Sequence, residues 1–169
     1  MKETLKILNR MIREGVIDEY AIGGAVGAIY YLEPFDTADI DVFFQVSAAG
    51  NELAILAPIY EFLSARGYKA EGAFVYIEGF PVQFLPVFNS LTEEAVRKAQ
   101  TIKYDRVTTR IMRAEHLVAI MLQTGRTKDY LRISMFLEQR AVNMRSLNTV
   151  LKKYDLTRKW KENEYKFNT

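Results

Sequence analysis

Residues 39–46, Asp-Ile-Asp-Val-Phe-Phe-Gln-Val, indicate a β-strand that carries two carboxylates in an otherwise apolar segment. Side chains alternate along a strand, so Asp39 and Asp41 share one face, and Ile40 and Val42 share the other. Two carboxylates at this spacing repel each other, and a cation or a proton relieves the repulsion. The segment therefore predicts a strand with one buried face and one metal-binding face, with a hydrogen-bonded acidic pair as the alternative.

Fourteen residues separate a Gly-Gly pair, Gly23 and Gly24, from Asp39. It follows a short strand pattern at 20–22 and precedes a helical pattern at 25–32. Glycine allows backbone N–H groups to approach a phosphate closely, and the helix N-terminus adds positive potential. Oxygen-only ligation at the acidic strand selects Mg²⁺ or Mn²⁺. Together these features predict a phosphate site beside a metal site, and a tight structural turn is the alternative for the glycines.

Composition excludes several classes of site. The chain of 169 residues has no Cys and a single His, His116. Disulfides, zinc–thiolate sites, iron–sulfur clusters, thiol catalysis and multi-histidine metal sites are therefore excluded, and a Ser-His-Asp hydrolase is disfavoured. The N-terminus lacks the apolar core of a signal peptide, and the uncharged stretch 21–32 is shorter than the ~20 residues that a membrane span needs. We expect a cytoplasmic protein without membrane contact.

The remaining patterns predict an α/β part followed by a helical part. Predicted helices cover 4–14, 25–32, 52–66, a short segment capped by Thr92, 115–123, 130–140 and 146–154. Predicted strands cover 20–22, 39–46, 68–77 and 80–87, the last two forming a hairpin through Glu78 and Gly79. Residues 47–51 are predicted as a loop, 102–109 as extended or irregular, and the charged tail from 155 as marginally structured. We expect an α/β core over 1–90 and a helical region over 91–169 that packs on it.

Charge divides along the same boundary. Residues 1–90 hold 6 Lys and Arg against 12 Asp and Glu, whereas residues 91–169 hold 17 against 9. An acidic part joined to a basic part suits a site that binds cations on one wall and phosphates on the other. Segregated, solvated surface charge is the alternative.

Residues 22–24 and 37–42, Ile-Gly-Gly and Thr-Ala-Asp-Ile-Asp-Val, resemble the signature of the nucleotidyltransferase superfamily with the DNA polymerase β-like fold. The resemblance is nearest to the bacterial AbiEii toxin and MNT-antitoxin type, whose C-terminal helical motif is similar to residues 115–129. It implies a mixed sheet flanked by helices and a nucleoside triphosphate as substrate. It also implies Mg²⁺ or Mn²⁺ held by Asp39 and Asp41, and glycines that contact the triphosphate.

The chain departs from this family pattern at three polar positions. Gln83 stands where the resemblance implies a third carboxylate, Met121 where it implies a lysine, and Arg132 where it implies an aspartate. The amide oxygen of Gln83 can bind a metal but cannot act as a general base, so Gln83 is either a neutral ligand or a remnant. Two functions follow as hypotheses. One is transfer of a nucleoside monophosphate to a hydroxyl on RNA, protein or a small molecule. The other is a degenerate binding module, such as a toxin–antitoxin component.

Further candidates have structural alternatives. Thr37 binds either the loop or a phosphate. Arg126 and Lys128 contact a triphosphate or an RNA backbone, or else form a solvated turn in which Lys128 pairs with Asp129. We expect His116 to be a core or edge histidine. A basic run predicts either a solvated face or contact with a nucleic-acid backbone; it comprises Arg97, Lys98, Lys103, Arg106, Arg110 and Arg113.

Overall fold

The computed structural model describes residues 1–46 and 52–167, and within these ranges the chain forms a mixed seven-stranded sheet with helices on both faces. The helices are α1 (Lys2–Arg13), α2 (Gly24–Ile29), α3 (Glu52–Ser64), α4 (Ser90–Arg97), α5 (Ala114–Thr124), α6 (Thr127–Glu138), α7 (Met144–Lys153) and α8 (Thr157–Asn163), followed by a 3₁₀ turn (Glu164–Lys166). The strands are β1 (Glu19–Ile22), β2 (Ile40–Gln45), β3 (Ala70–Glu71), β4 (Phe74–Ile77), β5 (Phe80–Pro86), β6 (Gln100–Tyr104) and β7 (Val107–Ile111).

The strand with the acidic pair lies in the middle of the sheet. The strand order is β3-β4-β5-β2-β1-β7-β6. Strand β2 pairs antiparallel with β1 and parallel with β5, and β1 pairs parallel with β7. Because both edges of β2 are hydrogen-bonded, the position of its side chains is fixed by its neighbours on either side.

Hydrophobic residues cover both faces of the sheet. On one face, Leu5 and Leu8 of α1 and Ile59 of α3 pack with Val42 and Phe44 of β2. On the other face, the cluster is built largely by α4 to α8. Each of these named side chains is at most 1% exposed, and full burial of one such side chain contributes about 1.5–3 kcal/mol. The apolar positions of β2 therefore hold the strand in place and determine which of its residues face helices α4 to α8.

The hairpin predicted at Glu78 and Gly79 is confirmed. Strands β4 and β5 pair antiparallel around it, with φ of 52° at Glu78 and 83° at Gly79. The predicted strand 68–77 is shorter than expected, because a turn at Gly72 (φ +61°) divides it into β3 and β4. The loop predicted at 47–51 lies outside the described residues.

A second hairpin, β6–β7, was not predicted as such from the sequence. It occupies the segment expected to be extended or irregular and turns at Asp105 and Arg106, whose φ angles are 44° and 67°. The turn lacks glycine, so the usual sequence signal for this geometry is absent. The hairpin extends the sheet beside β1 through the pairing of Ile111 with Ile22.

Two helix starts differ from the prediction. Asn89, rather than Thr92, caps α4, because its side chain accepts the Thr92 N–H at 2.9 Å while the Thr92 hydroxyl accepts the Asn89 N–H at 3.2 Å. Helix α6 begins at Thr127, within the predicted polar turn. The prediction placed the first helical residue too late in both cases, because polar residues of the first turn resemble a loop.

The C-terminal tail was wrongly predicted as marginally structured. Helix α8 packs against the rest of the chain through Trp160, which is 8% exposed. Phe167, 2% exposed, packs on Trp160 with ring centroids 4.6 Å apart. The frequent charges of this tail obscured two aromatic side chains that supply its apolar contacts.

Candidate active site

The two predicted carboxylates lie on the same side of the sheet. Asp41 belongs to β2, and Asp39 immediately precedes it. Both line a cleft between the sheet and helices α5 and α6, whereas Ile40 and Val42 are buried on the opposite face. The parallel register of β2 and β5 places Gln83 directly beside Asp41. The predicted alternation is therefore confirmed, and Gln83 stands next to the acidic pair.

The glycine bend, Gly23 and Gly24, connects β1 to α2 and packs against β2. The Gly23 N–H donates a hydrogen bond to the Asp41 carbonyl at 2.9 Å. Gly24 has φ of +53°, and a Cβ there would lie 1.7 Å from Oδ2 of Asp41. A Cβ at Gly23 would lie 2.7 Å from the Phe43 ring. Close packing thus requires glycine at both positions, and the phosphate contact stays a prediction.

A further hydrogen bond connects the start of the bend to the segment between β7 and α5. Met112 lies between β7 and α5 and donates its N–H to the carbonyl of Ile22 at 3.0 Å. Ile22 is the last residue of β1 before the glycine bend. The bend is therefore held by backbone bonds to the acidic strand and to the segment that leads into α5.

Asp41 is the titratable group of the cleft with a strongly perturbed proton affinity. Burial, and after it the charge of Asp39, raise the pKa of Asp41 from 3.8 to about 6, against the attraction of Arg126, Lys128 and Arg132. Ionising Asp41 beside the charged Asp39 is therefore unfavourable in the absence of a cation. A cation that bound between the two carboxylates would remove this penalty.

The start of α6 forms a cationic wall of the cleft. Arg126 donates from Nε and Nη2 to the two oxygens of Asp129, at 2.8 and 3.1 Å, and Asp129 is only 1% exposed. Arg132 lies 3.8 Å from the same carboxylate. The alternative in which Lys128 pairs with Asp129 is therefore wrong. Among the described residues Lys128 has no ion-pair partner, so its charge is available to a ligand.

The cleft has a volume of 340 Å³, and the rest of its lining is mostly apolar. Met121 lies in this lining, at the position where the family resemblance implies a lysine. The other apolar lining residues are Ala25, Phe43, Phe74, Leu85, Phe88, Met112, Leu117 and Ile120. The cleft thus combines a small acidic floor with one basic and several hydrophobic walls, as ligand sites commonly do.

The donor set fits Mg²⁺. Asp39, Asp41 and the amide of Gln83 supply only oxygen ligands, the type that Mg²⁺ and Mn²⁺ prefer. Within residues 1–46 and 52–167, no three Asp, Glu, His or Cys side chains are grouped to hold a metal. Two carboxylates are nevertheless enough, because Mg²⁺ commonly keeps water and substrate phosphates as its other ligands. The close seat of Asp41 against Gly24 fixes one of these carboxylates in advance.

Two residues of the cleft were not assigned a site role from the sequence. Arg132 was noted as a departure from the family pattern, yet it lines the cleft and acts on the pKa of Asp41. Its position three residues after Asp129 and four after Lys128, on one helical face, was the available signal. Phe88 lines the cleft while 67% exposed, and no sequence pattern distinguishes it from a core phenylalanine.

Thr37 lies elsewhere. It lines a separate cavity of 490 Å³ together with Tyr104, rather than the cleft that contains Gly24 and Lys128. Asp39 lines both spaces. A phosphate contact from Thr37 stays a prediction.

His116 and most of the basic run make contacts within the protein. His116 is 2% exposed with Nε2 3.3 Å from Glu94, and burial lowers its pKa. This agrees with a core histidine. Arg110 pairs with Glu19, and Arg113 donates from Nε to a backbone carbonyl. Arg97 and Lys98 pair with Glu94, so four of the six basic residues make local contacts.

Comparison with known proteins supports the fold. No protein-family model and no curated sequence matches the chain. Among solved structures, the chain is similar to the solution structure of the antibiotic-resistance factor ANT(2'')-Ia, an aminoglycoside nucleotidyltransferase. The two share 13% identity with a TM-score of 0.54, over 97% of this chain and 96% of the other.

The chain therefore has a mixed α/β fold of the nucleotidyltransferase type, as the sequence predicted. This similarity supports the general fold and not a special closeness to the AbiEii and MNT type. Of the helices in the described ranges, none has the length and apolarity needed to cross a membrane.

Proposed function

We propose that this chain is a metal-dependent nucleotidyltransferase, which binds a nucleoside triphosphate in the cleft and transfers its nucleoside monophosphate to a hydroxyl. The observation that carries the proposal is the acidic pair, Asp39 and Asp41, in the centre of the sheet and facing the cationic start of α6. Such a site places metal ligands and phosphate-binding charge on facing walls, as nucleotidyl transfer requires.

Each group has a defined task in this proposal. Asp39 and Asp41 hold Mg²⁺ with the Gln83 amide oxygen, and Lys128 offsets the charge of the triphosphate. Bound Mg²⁺ supplies the positive charge that favours an ionised acceptor hydroxyl and a departing phosphate. Arg126 is held by Asp129, so it shapes the wall and adds potential rather than reaching freely to the ligand.

The reaction balances without a protein base. The acceptor oxygen forms a bond to the α-phosphorus, and the bond from that phosphorus to the bridging oxygen of the β-phosphate breaks. Pyrophosphate leaves with the electron pair, and the hydroxyl proton passes to water. Gln83 cannot take this proton. Asp129, a further carboxylate lining the cleft, is occupied by Arg126.

Calorimetric titration with each nucleoside triphosphate and Mg²⁺ tests the proposal. We expect Asp41→Ala to abolish Mg²⁺-dependent binding while the protein remains folded by circular dichroism. Asp36→Ala is the matched control, because Asp36 lies in the same segment, is exposed, and does not line the cleft. Equal nucleotide affinity in the wild type and the Asp41 variant would refute the proposal.

Gln83 favours a second candidate function. A chain that lacks the third carboxylate fits a binding or regulatory module that has lost catalysis, such as a toxin–antitoxin component with an RNA or protein partner. Incubation with α-labelled triphosphates, Mg²⁺ and total RNA or protein extract distinguishes the two. Label transfer that disappears in Asp39→Ala supports the enzyme, whereas nucleotide binding without any transfer supports the module.

The same assay tests whether Gln83 is the missing ligand. Gln83→Asp places a third carboxylate beside Asp41, where it can bind the metal and accept a proton. We expect a weak transfer activity to increase. No gain, in a variant that still binds Mg²⁺ and nucleotide, would show that Gln83 does not limit the reaction.

A further inference from the structure

The cavity that contains Thr37 has a chemistry unlike that of the catalytic cleft. It encloses 490 Å³, a volume suited to a small molecule. Its base is formed by Ile22, Ile40 and Ile111 from three adjacent strands, each at most 5% exposed. The cavity therefore lies on the face of the sheet away from the cleft, near the strand ends that carry the glycine bend and Asp39.

Two half-exposed aromatic side chains line the cavity. Tyr30 and Tyr104 line it while 50% and 48% exposed. Large exposed aromatic side chains beside an apolar cavity supply rigid surfaces on which a flat or hydrocarbon ligand can pack. Thr109, 3% exposed, already shares a hydrogen bond with the Tyr20 hydroxyl. Few polar groups are thus left for a ligand: Asp39, the Thr37 hydroxyl, the tyrosine hydroxyls and the amino group of Met1.

Asp39 connects this cavity to the candidate reaction centre. It lines both the apolar cavity and the cleft, where Asp41 and Lys128 lie. A molecule in the cavity can therefore place one end beside the carboxylate that the proposed function assigns to the metal.

We infer that the cavity binds the acceptor, and that the acceptor is a small, mainly apolar molecule with a hydroxyl at the end that reaches Asp39. This inference rests on the proposed function, which requires a hydroxyl near the acidic pair. A nucleobase, an RNA strand or a polycationic aminoglycoside brings many polar groups, which the isoleucine-lined cavity would leave without hydrogen bonds.

Binding of 2-naphthol, followed by its own fluorescence, tests the cavity without nucleotide. We expect Val26→Trp, which fills the cavity from α2, to weaken binding by about tenfold or more, because the ligand is then excluded from the apolar lining that it would cover. Tyr104→Ala should weaken binding severalfold, and Tyr76→Ala should not, because Tyr76 is similarly exposed but lies away from the cavity. Equal affinity in the wild type and Val26→Trp would overturn the inference.

A transfer assay separates this inference from the proposed function. With Mg²⁺ and α-labelled triphosphate, we expect label on 2-naphthol in the wild type, and loss of that label in Val26→Trp although calorimetry still detects nucleotide binding. Label on RNA or on an aminoglycoside, and none on 2-naphthol, would overturn the inference and leave the enzyme intact. If the wild-type protein does not bind any nucleoside triphosphate in the presence of Mg²⁺, the proposed function itself is refuted.

Discussion

The carboxylate of Asp41 is seated against the α-carbon of Gly24, so closely that a Cβ on Gly24 would lie 1.7 Å from Oδ2. The contact joins the bend after β1 to strand β2, and Gly24 has a positive φ of +53° that side-chain-bearing residues rarely adopt. Packing against Gly24 therefore orients one of the two carboxylates that the proposed function assigns to the metal.

A side chain at Gly24 should therefore impair ligand binding beyond the loss of stability that backbone strain alone causes. We expect Gly24→Ala to displace the Asp41 carboxylate, to abolish Mg²⁺-dependent nucleotide binding, and to lower the free energy of unfolding by about 2–4 kcal/mol. Gly72→Ala is the matched control. Gly72 has a similar φ of +61° but no atom within 4 Å of its Cβ position, so it measures backbone strain alone. Equal losses of stability and binding in the two variants would contradict the steric explanation.

Asp41 should cost the metal-free protein stability at neutral pH. Its pKa of about 6 lies above the ordinary 3.8, so the fold favours the protonated form. The favourable contribution of that form is present below pH 4 and is lost as the pH rises through 6. We expect Asp41→Asn to raise the free energy of unfolding by about 1–3 kcal/mol at pH 7.5.

Urea unfolding at pH 4 and pH 7.5 measures this effect. The gain from Asp41→Asn should be absent at pH 4, and saturating Mg²⁺ should stabilise the wild type but not the variant. A variant that is less stable than the wild type at pH 7.5 without metal would show that the carboxylate is satisfied by its protein neighbours alone.

Glu94 should have the opposite pH dependence. Burial raises its pKa, but hydrogen bonds from Lys153, His116 and Lys98 outweigh burial and hold it at about 2, below the ordinary 4.5. The stability from this depressed pKa is present above pH 4.5 and is lost as the pH falls towards 2. We expect Glu94→Gln to lower the free energy of unfolding by about 2–4 kcal/mol at pH 7 and to flatten its fall in acid.

Glu93→Gln is the control, since Glu93 is the exposed neighbour of Glu94 on α4. Acid titration of circular dichroism compares the two variants. An unchanged acid transition in Glu94→Gln would mean that the interactions of Glu94 with Lys153, Lys98 and His116 do not stabilise the fold.

The C-terminal tail should contribute to global stability. We expect Trp160→Ala to lower the free energy of unfolding by about 3–5 kcal/mol, because it removes a large side chain packed between the helices and Phe167. Tyr165→Ala, which alters a side chain that is 74% exposed in the same tail, should change it little. Thermal or urea unfolding measures both, and similar values for the two variants would restore the prediction of a marginal tail.

The sequence was sufficient where a local pattern determines the structure. Alternation along β2 placed Asp39 and Asp41 on one face, and Glu78-Gly79 indicated a hairpin turn. The sequence was insufficient where contacts with residues far along the chain determine the local structure. The β6–β7 pairing turns without glycine, and the tail gains its structure from Trp160 and contacts far along the chain.

The candidate site, too, could be predicted only in part. The spacing of the glycines and aspartates identified its floor, but the pairing of Arg126 with Asp129, rather than of Lys128, depends on side-chain geometry at the start of α6. The shared position of Asp39 between the cleft and the apolar cavity depends on the assembled sheet, which no local pattern contains.

The hydrogen bond from Met112 to Ile22 has a mechanical consequence. It links the lead into α5, one wall of the cleft, to the residue before the glycine bend. On its other side the bend is bonded to the acidic strand through Gly23 and Asp41. The wall and the acidic floor thus share one backbone anchor, and a change that broke the Met112 bond would remove half of the support beneath the Asp41 seat.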